Sequence, residues 1–265
     1  MASTYKFLQS DDVISTKTLL HEAIPITGTI VSGTYGTGNI KSYSHGMFQS
    51  VYDYPYLSSS ANHIFDISAG YHSTSALSKS SGNSQNAKKI NIYNQLAQLC
   101  FGYNSDGSVK KFDNDGDFTD TADTMDGAIF LTFSRLLIKD EIKKGSFALT
   151  LGVNSTFATP HATNQIKITD KDGSSNYKVN SPAGEYGILY ASNSLGTPID
   201  TSKLTDGYAM CGLVFYQAGI VALTSSLFSS ASSGFGLKVT CNMDSTNNDY
   251  EELLTGSTID VGANS

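Results

Sequence analysis

Residues 129–153 read IFLTFSRLLIKDEIKKGSFALTLGV, and this stretch decides the fold class. On either side of a charged run, apolar residues stand at every second position: Ile129, Leu131 and Phe133 before it, and Phe147, Leu149, Leu151 and Val153 after it. Alternation with a period of two is typical of a strand whose two faces differ. We therefore expect two core strands joined by a polar connector at Lys139–Gly145, formed as a turn of helix. Phe147, Leu149 and Leu151 are expected to face the core.

The composition favours β structure along the whole chain. Tyr (15) and Phe (13) are plentiful, and strands accept aromatic side chains readily. Charged residues make up only 15% of the chain, against about 25% in ordinary soluble proteins. Surfaces that are poor in charge and rich in tyrosine are common where proteins meet proteins. The length of 265 residues suits one large β domain or two modest ones.

The charge balance argues against two classes of partner. The net charge is −7, whereas a protein that grips nucleic acid or anionic lipid normally carries a basic stripe. The local basic clusters are mere pairs, Lys88-Lys89, Lys110-Lys111 and Lys143-Lys144. No apolar run reaches the roughly 18 residues that span a bilayer, and the start, MASTYKFLQSDD, has no apolar signal core. We expect neither a nucleic-acid nor a membrane partner, and synthesis in the cytoplasm.

One helix and several further strands are predicted by periodicity. Within AKKINIYNQLAQLCFGY, apolar residues recur at steps of three and four, namely Ile90, Tyr93, Leu96, Ala97, Cys100 and Phe101. Gly102 stands where a helix stop belongs. Strands are predicted at 26–31, 63–70, 165–169, 185–192 and 235–242, with a hairpin at 210–224. The predicted fold is mainly β, with a β-sandwich-like core, one amphipathic helix near 87–102 and long polar loops.

The chain is predicted to hold one main domain. Residues 1–25 are expected to form an N-terminal arm or short helix, which Pro25 ends. Residues 26–242 form a single β-rich domain that could divide near 154–183. Residues 243–265 are expected to be a loose C-terminal tail.

An acidic stretch is the first candidate for chemistry. FDNDGDFTDTADTMDG, at 112–127, carries aspartates at 113, 115, 117, 120, 123 and 126. Alternate aspartates resemble the start of a calcium loop, but the sixth position from Asp113 is Phe118 rather than Gly, and the twelfth is Thr124 rather than Glu. A solvated acidic turn is the favoured interpretation, and weak calcium binding stays open.

The remaining candidates predict no catalytic, cofactor-binding or metal-binding residue. Gly33, Gly36 and Gly38 have the wrong order for a phosphate loop. His21, His45, His63, His72 and His161 are scattered, and no nucleophile elbow is present, although a triad could assemble from distant residues. Cys100, Cys211 and Cys241 are expected to be inert thiols, and Asn154-Ser155-Thr156 a plain loop. Tyr43, Tyr52, Tyr54 and Tyr56 suit core packing or subunit contact, with sugar binding as the alternative.

Several segments resemble virion structural proteins of large contractile-tailed phages, the myoviruses, of marine cyanobacteria. They are GMFQSVYDYPYLSSSANHIFDISAGYH at 46–72, NIYNQLAQLCFGY at 91–103, FSRLLIKDEIKKGSFALTLG at 133–152, KVNSPAGEYGILYAS at 178–192 and GLVFYQAGIVALTSSLF at 212–228. The resemblance implies a component of the phage particle, in the tail or baseplate, assembled in the host cytoplasm. It also implies relatives that continue past the C-terminus of this chain.

The resemblance and the composition together predict a structural role. The partners would be other virion proteins, met in multiple copies in a symmetric assembly, without a cofactor and without enzyme activity. A receptor- or glycan-binding protein at the tail tip is the alternative, and a cell-wall hydrolase is ranked third.

Overall fold

The computed structural model describes residues 37–75, 78, 86–117, 123–133, 141–152, 164–228 and 235. The chain is mainly β, as predicted, with one α-helix. The strands are β1 Ile40–Ser42, β2 Phe48–Tyr52, β3 His63–Tyr71, β4 Phe112–Asp113, β5 Thr124–Met125, β6 Gly127–Phe133, β7 Ala148–Gly152, β8 Gln165–Thr169, β9 Tyr186–Leu195, β10 Ala209–Phe215 and β11 Ile220–Thr224. Helix α1 spans Asn86–Cys100, and short 3-10 turns occupy Thr37–Asn39, Thr201–Lys203 and Ser225–Phe228.

Nine strands form one antiparallel sheet in the order β1-β2-β3-β6-β11-β10-β9-β8-β7, and β4 pairs with β5 in a small second sheet. The two strands predicted around the charged connector are therefore both present. However, β6 lies in the middle of the sheet and β7 at one edge. Their similar sequence pattern does not reveal this difference, because alternation reports which faces are covered and not which neighbours a strand has.

The large sheet curls strongly along its second half. The rings of Phe133, at the end of β6, and Phe147, just before β7, have centroids 6.3 Å apart. In strand order five steps separate β6 from β7, which would be about 24 Å in a flat sheet. The six strands from β6 to β7 therefore bend towards a barrel, with one concave face.

Each face of the sheet carries its own core. On the concave face, Ile129 and Leu131 of β6 pack with the buried side chains of β8 to β11, and the half-buried Phe147, Leu149 and Leu151 pack against them. These three residues therefore face the core, as predicted. On the opposite face, Phe130 packs against Tyr93 of α1 and against Phe112, in a cluster that also holds Phe101 and Met125. Apolar residues occupy both sets of alternate positions in β6, because both of its faces are covered.

Helix α1 confirms the predicted helix at 87–102, and Gly102 ends it with a φ of 75°. Its buried residues are Lys89, Ile92, Tyr93, Ala97 and Cys100. The buried face of the helix therefore differs at its edges from the predicted apolar face, since Ile90 and Leu96 are only half-buried. The cause is the close docking at β3: a Cβ added to Gly70 would lie 2.6 Å from the carbonyl oxygen of Lys89.

Three other predicted strands and the predicted hairpin are confirmed. Strand β3 covers the strand expected at 63–70, and β8 and β9 cover those expected at 165–169 and 185–192. Strands β10 and β11 form the predicted hairpin, whose bend holds Gly219 at a φ of 66°. The expected turn of helix in the connector is wrong for its described part, residues 141–145, which instead form a reverse turn in which the Ser146 amide donates to the Lys143 carbonyl oxygen.

Some predictions fall on residues outside the described ranges. They are the N-terminal arm at 1–25, the strand at 26–31, most of the strand at 235–242, the C-terminal tail at 243–265 and the start of the connector.

Candidate functional site

A set of half-buried and exposed aromatic rings gathers where β1, β2 and β3 meet. We call Tyr43, His45, Phe48, Tyr52, Tyr56 and His63 the aromatic patch. Tyr43 stacks on His45 with ring centroids 5.2 Å apart and planes 6° from parallel. Phe48 lies 5.0 Å from both of those rings. Tyr52 contacts His63 at 5.5 Å and Tyr56 at 6.4 Å.

The strand register places these rings on one face. In β2, Phe48 and Ser50 stand at alternate positions, opposite Ser68 and Asp66 of β3. Alternate residues share a face of the sheet, so the rings extend the same face that α1 covers further along. The Lys88 amine donates to the His45 carbonyl oxygen at 3.2 Å. The aromatic patch therefore continues directly from the helix.

A polar network runs beneath the rings. Ser50 Oγ donates to Oδ1 of Asp66 at 2.6 Å, and His63 Nε2 lies 2.8 Å from the same oxygen. Because the single hydrogen of Ser50 goes to Asp66, the Tyr43 hydroxyl is the donor to Ser50 Oγ, 3.4 Å away. This order places a carboxylate between serine and histidine. A nucleophilic serine needs the histidine next to it, so the network positions side chains rather than activating Ser50.

A lysine amine and a tyrosine with a raised pKa contribute to the electrostatics of the aromatic patch. The Lys41 amine sits 5.1 Å from the centre of the Tyr43 ring, within the range of a cation–π contact. Burial and the neighbouring Tyr43 raise the pKa of Tyr52. The Tyr52 hydroxyl therefore remains a protonated donor at neutral pH.

A loop beside the patch presents two more exposed side chains. Tyr54 is 58% exposed and Leu57 is 87% exposed. Asp53 holds this loop closed: Oδ1 accepts from the amides of Tyr54 (2.8 Å) and Asn62 (2.6 Å), and Oδ2 accepts from Asn62 Nδ2 (2.9 Å). Slight burial raises the pKa of Asp53, but the Asn62 hydrogen bonds outweigh it, and the pKa falls below its usual value.

The structure brings the four predicted tyrosines together. Tyr43, Tyr52 and Tyr56 belong to the aromatic patch, and Tyr54 lies on the adjoining loop. Of the scattered histidines, His45 and His63 join the patch, whereas His72 faces Thr74, with Nδ1 2.8 Å from its hydroxyl. His21, His161, Gly33, Gly36 and Asn154 lie outside the described residues.

The two described cysteines match the prediction of inert thiols. Cys100 and Cys211 are free and buried, and burial raises the pKa of both thiols, as expected of inert cysteines. Cys241 lies outside the described residues.

In the acidic stretch, Asp117, Asp123 and Asp126 are exposed. The expectation of a solvated turn is wrong for Asp113, which is only 1% exposed, because β4 places its side chain inward.

Asp113 is electrostatically unusual. Burial, followed by the adjacent Asp115 carboxyl, raises the pKa of Asp113 to about 7. Oδ1 accepts the Asp115 amide at 3.0 Å, but Oδ2 has no hydrogen-bond partner. In the ranges that the structure describes, no three His, Cys, Asp or Glu side chains converge into a ready metal site.

Sequence reasoning missed two buried charged residues. Asp170, 1% exposed, follows β8 and accepts hydrogen bonds from two backbone amides and from Tyr216. Lys89, also 1% exposed, has an amine without a partner, and burial, then Lys88, lowers its pKa to about 8. The DKDG sequence predicts a turn at Asp170, but it does not show that the carboxylate accepts the amides of Gly145 and Phe147, which lie far away in the chain. In the sequence, Lys89 stands out only as one member of the basic pair Lys88-Lys89.

The comparisons with known proteins add no identification. No family model, no curated protein and no solved structure matches the chain. Among the described residues, no helix has the length and apolar character needed to cross a membrane.

Proposed function

We propose that the chain is a structural component of a contractile-tailed phage particle, in the tail or baseplate. It would act through protein–protein contacts with other virion proteins, in several copies within a symmetric assembly. The observation that carries the proposal is the aromatic patch with its adjoining loop, which exposes Tyr54, Tyr56 and Leu57 on a closely hydrogen-bonded frame. The sequence resemblance to myovirus virion proteins supplies the setting.

The physical case starts from exposed apolar area. Contiguous aromatic and aliphatic side chains on a surface mark interaction sites, and tyrosine is enriched at the centres of protein interfaces. A loop already held by Asp53 and Asn62 loses little further freedom on binding, which lowers the entropic cost of association. The two lysines beside the patch already have partners, since the Lys41 amine lies over the Tyr43 ring and the Lys88 amine donates to the His45 carbonyl oxygen.

A sheet edge offers a second contact of a different kind. In the described residues β7 pairs with β8 on one side only. Thr150 and Ala148 of β7 are exposed, while Leu149 and Leu151 face the core. A strand from a neighbouring subunit could add to this edge through backbone hydrogen bonds. Such addition would continue the sheet between copies.

Particle composition tests the proposal first. Mature particles of the phage that carries the gene would be purified, digested and examined by mass spectrometry, and labelled with antibody for electron microscopy. We expect the chain in fixed stoichiometry and the label on the tail or baseplate. If the chain is missing from mature particles, a structural role in the virion is excluded.

Surface variants then test the contact itself. Tyr54→Ser and Leu57→Ser should reduce incorporation into particles without changing the thermal unfolding of the isolated chain. Tyr103→Ser is the matched control, because Tyr103 is 57% exposed and lies in another loop. Equal loss for Tyr54→Ser and Tyr103→Ser would contradict the assignment of this surface.

Glycan or receptor binding is the second candidate, and one feature favours it. Exposed tyrosine rings stand beside side chains that can hydrogen-bond sugar hydroxyls, including Asp66 and His63. Sugars stack on aromatic faces and bond to carboxylates and imidazoles at the ring edge. Binding of the isolated chain to host-surface polysaccharide, abolished in Tyr54→Ser, would favour this function. A zymogram on host cell wall would distinguish the structural and the glycan-binding functions from the third alternative, a cell-wall hydrolase.

A further inference from the structure

The loop that begins at β4 buries one acidic group, Asp113, without a positive partner among the described residues. Asp113 is 1% exposed, and its Oδ2 makes no hydrogen bond. The Asp115 carboxyl lies close enough to Asp113 to raise its pKa. The side-chain oxygen of Asn114 is also buried without a partner. Two adjacent residues, Asp113 and Asn114, therefore each direct an unpaired oxygen into the protein. The half-buried Asp115 carboxyl lies beside them, and its Oδ1 accepts the Asp117 amide at 2.8 Å.

Among the described residues, no cation pairs with these oxygens. The lysine closest in sequence, Lys111, bonds instead to Asp126, with Nζ 2.5 Å from Oδ1. Asp123 lies near enough to add a further negative charge to the surroundings of Asp113. A buried carboxylate needs a counter-charge or a full set of hydrogen bonds, and neither is present among these groups.

The loop is also fixed in place, so Asp113 cannot simply turn to solvent. Gly116 has a φ of 73°, and a Cβ added there would lie 2.9 Å from the Tyr186 hydroxyl oxygen. That hydroxyl donates to Oδ1 of Asn180 at 2.7 Å. The Asn114 amide donates to the Asp123 carbonyl oxygen at 3.1 Å, which ties the start of the loop to its end.

We propose that the loop at 113–117 binds a calcium ion, with the Asp113 and Asp115 carboxylates and the Asn114 side-chain oxygen as its protein ligands. The donors are all oxygen, which suits Ca²⁺ or Mg²⁺ and does not suit zinc. The loop is irregular and supplies few side chains, so water and backbone carbonyls complete the shell. Calcium tolerates such variable coordination, whereas magnesium demands a near-ideal octahedron. With two carboxylates, the affinity should be on the order of 10⁻⁴–10⁻³ M.

Thermal unfolding of the whole chain with and without calcium tests the proposal. We expect the melting temperature to rise by a few degrees in 5–10 mM Ca²⁺, at roughly ten times the expected Kd, compared with EDTA. Mg²⁺ at the same concentration should give a smaller rise. Asp115→Asn, at a half-buried position, should abolish the calcium response while keeping the fold. Asp113→Asn should do the same and also raise stability in EDTA, since it removes an unpaired buried charge.

The control is Asp106→Asn, which alters an exposed aspartate in a separate turn and should leave the calcium response intact. Two results would overturn the proposal. One is a melting temperature that does not respond to calcium but rises as the pH falls from 8 to 6, because a proton would then neutralise Asp113. The other is an undiminished calcium response in Asp115→Asn, which would place the ion elsewhere. Equal responses to Mg²⁺ and Ca²⁺ would remove the preference for calcium.

Discussion

Tyr216 donates its hydroxyl hydrogen to Oδ2 of Asp170, 3.1 Å away, across the concave face of the sheet. The same carboxylate accepts the amides of Gly145 (2.7 Å) and Phe147 (2.9 Å). It therefore joins the end of β10, the end of β8 and the connector that leads into β7. Burial raises the pKa of Asp170, although these hydrogen bonds favour its charged form. This one side chain holds the curled end of the sheet together.

Replacing Asp170 by Asn should destabilise the protein by about 2–4 kcal/mol. Its amide group has only one acceptor oxygen for three donors, so at least one buried N–H or O–H loses its partner. Urea denaturation monitored by circular dichroism measures the change. Asp172→Asn is the control, since Asp172 bonds to Lys171 near the surface. An unchanged midpoint for Asp170→Asn would show that the three hydrogen bonds contribute nothing.

Gly173→Ala should destabilise the protein by about 1–3 kcal/mol, as overpacking in a closed site does. The added Cβ would lie 2.2 Å from the Tyr216 hydroxyl oxygen and 2.7 Å from Asp170 Oδ2. Removing that hydroxyl in Gly173→Ala/Tyr216→Phe should cost less than the two single changes combined. Gly38→Ala, whose Cβ would meet only Pro55 at 3.7 Å, should be near neutral. Strict additivity would argue against the contact.

Gly70→Ala should displace helix α1 from the sheet. The new Cβ would lie 2.6 Å from the Lys89 carbonyl oxygen and 2.9 Å from the Tyr93 amide nitrogen, and both are backbone atoms that cannot rotate away. We expect a loss of about 3 kcal/mol or more, near the upper end for single substitutions. Thermal unfolding gives the loss, and hydrogen exchange at residues 86–100 shows whether the helix opens. A stable variant with protected helix amides would contradict the close docking.

Lys89→Met should stabilise the protein at pH 7 and have little effect near pH 10.5. The folded pKa of about 8 lies below the usual value of 10.5, so burying the charged form destabilises the fold below about pH 8. This cost fades as the pH rises towards the unfolded pKa, and at pH 7 it is about 2–3 kcal/mol. Denaturant midpoints at pH 7 and pH 10 measure it. Lys203→Met, at an exposed position, is the control, and a gain independent of pH would refute the electrostatic cause.

Asn62→Ala should loosen the loop that presents Tyr54 and Leu57 without unfolding the sheet. It removes the bond from Nδ2 to Asp53 but keeps the amide that donates to the same residue. We expect a cost of at most about 1 kcal/mol, as for one exposed hydrogen bond, together with weaker binding of any partner at this surface. Limited proteolysis at residues 53–62 reports the loosening. Unchanged cleavage would mean that Asn62 does not order the loop.

The local sequence pattern was sufficient to predict these secondary-structure elements. The alternation around the charged connector predicts β6 and β7, and the steps of three and four predict α1 and its stop at Gly102, because a covered face imposes its own period on the sequence. The same alternation correctly predicted that Leu149 faces the core. It failed for Lys89, whose burial follows from how closely Gly70 lets the helix approach.

The sequence by itself determined the mainly β fold, the helix, the hairpin at β10 and β11, and the inert character of Cys100 and Cys211. Tertiary structure alone decided the strand order, the curl that brings Phe133 to Phe147, and the burial of Asp113 and Asp170. The reason is physical. Periodicity records contacts that repeat within one element, whereas strand order and buried charge depend on contacts between residues far apart in the chain, which leave no local mark.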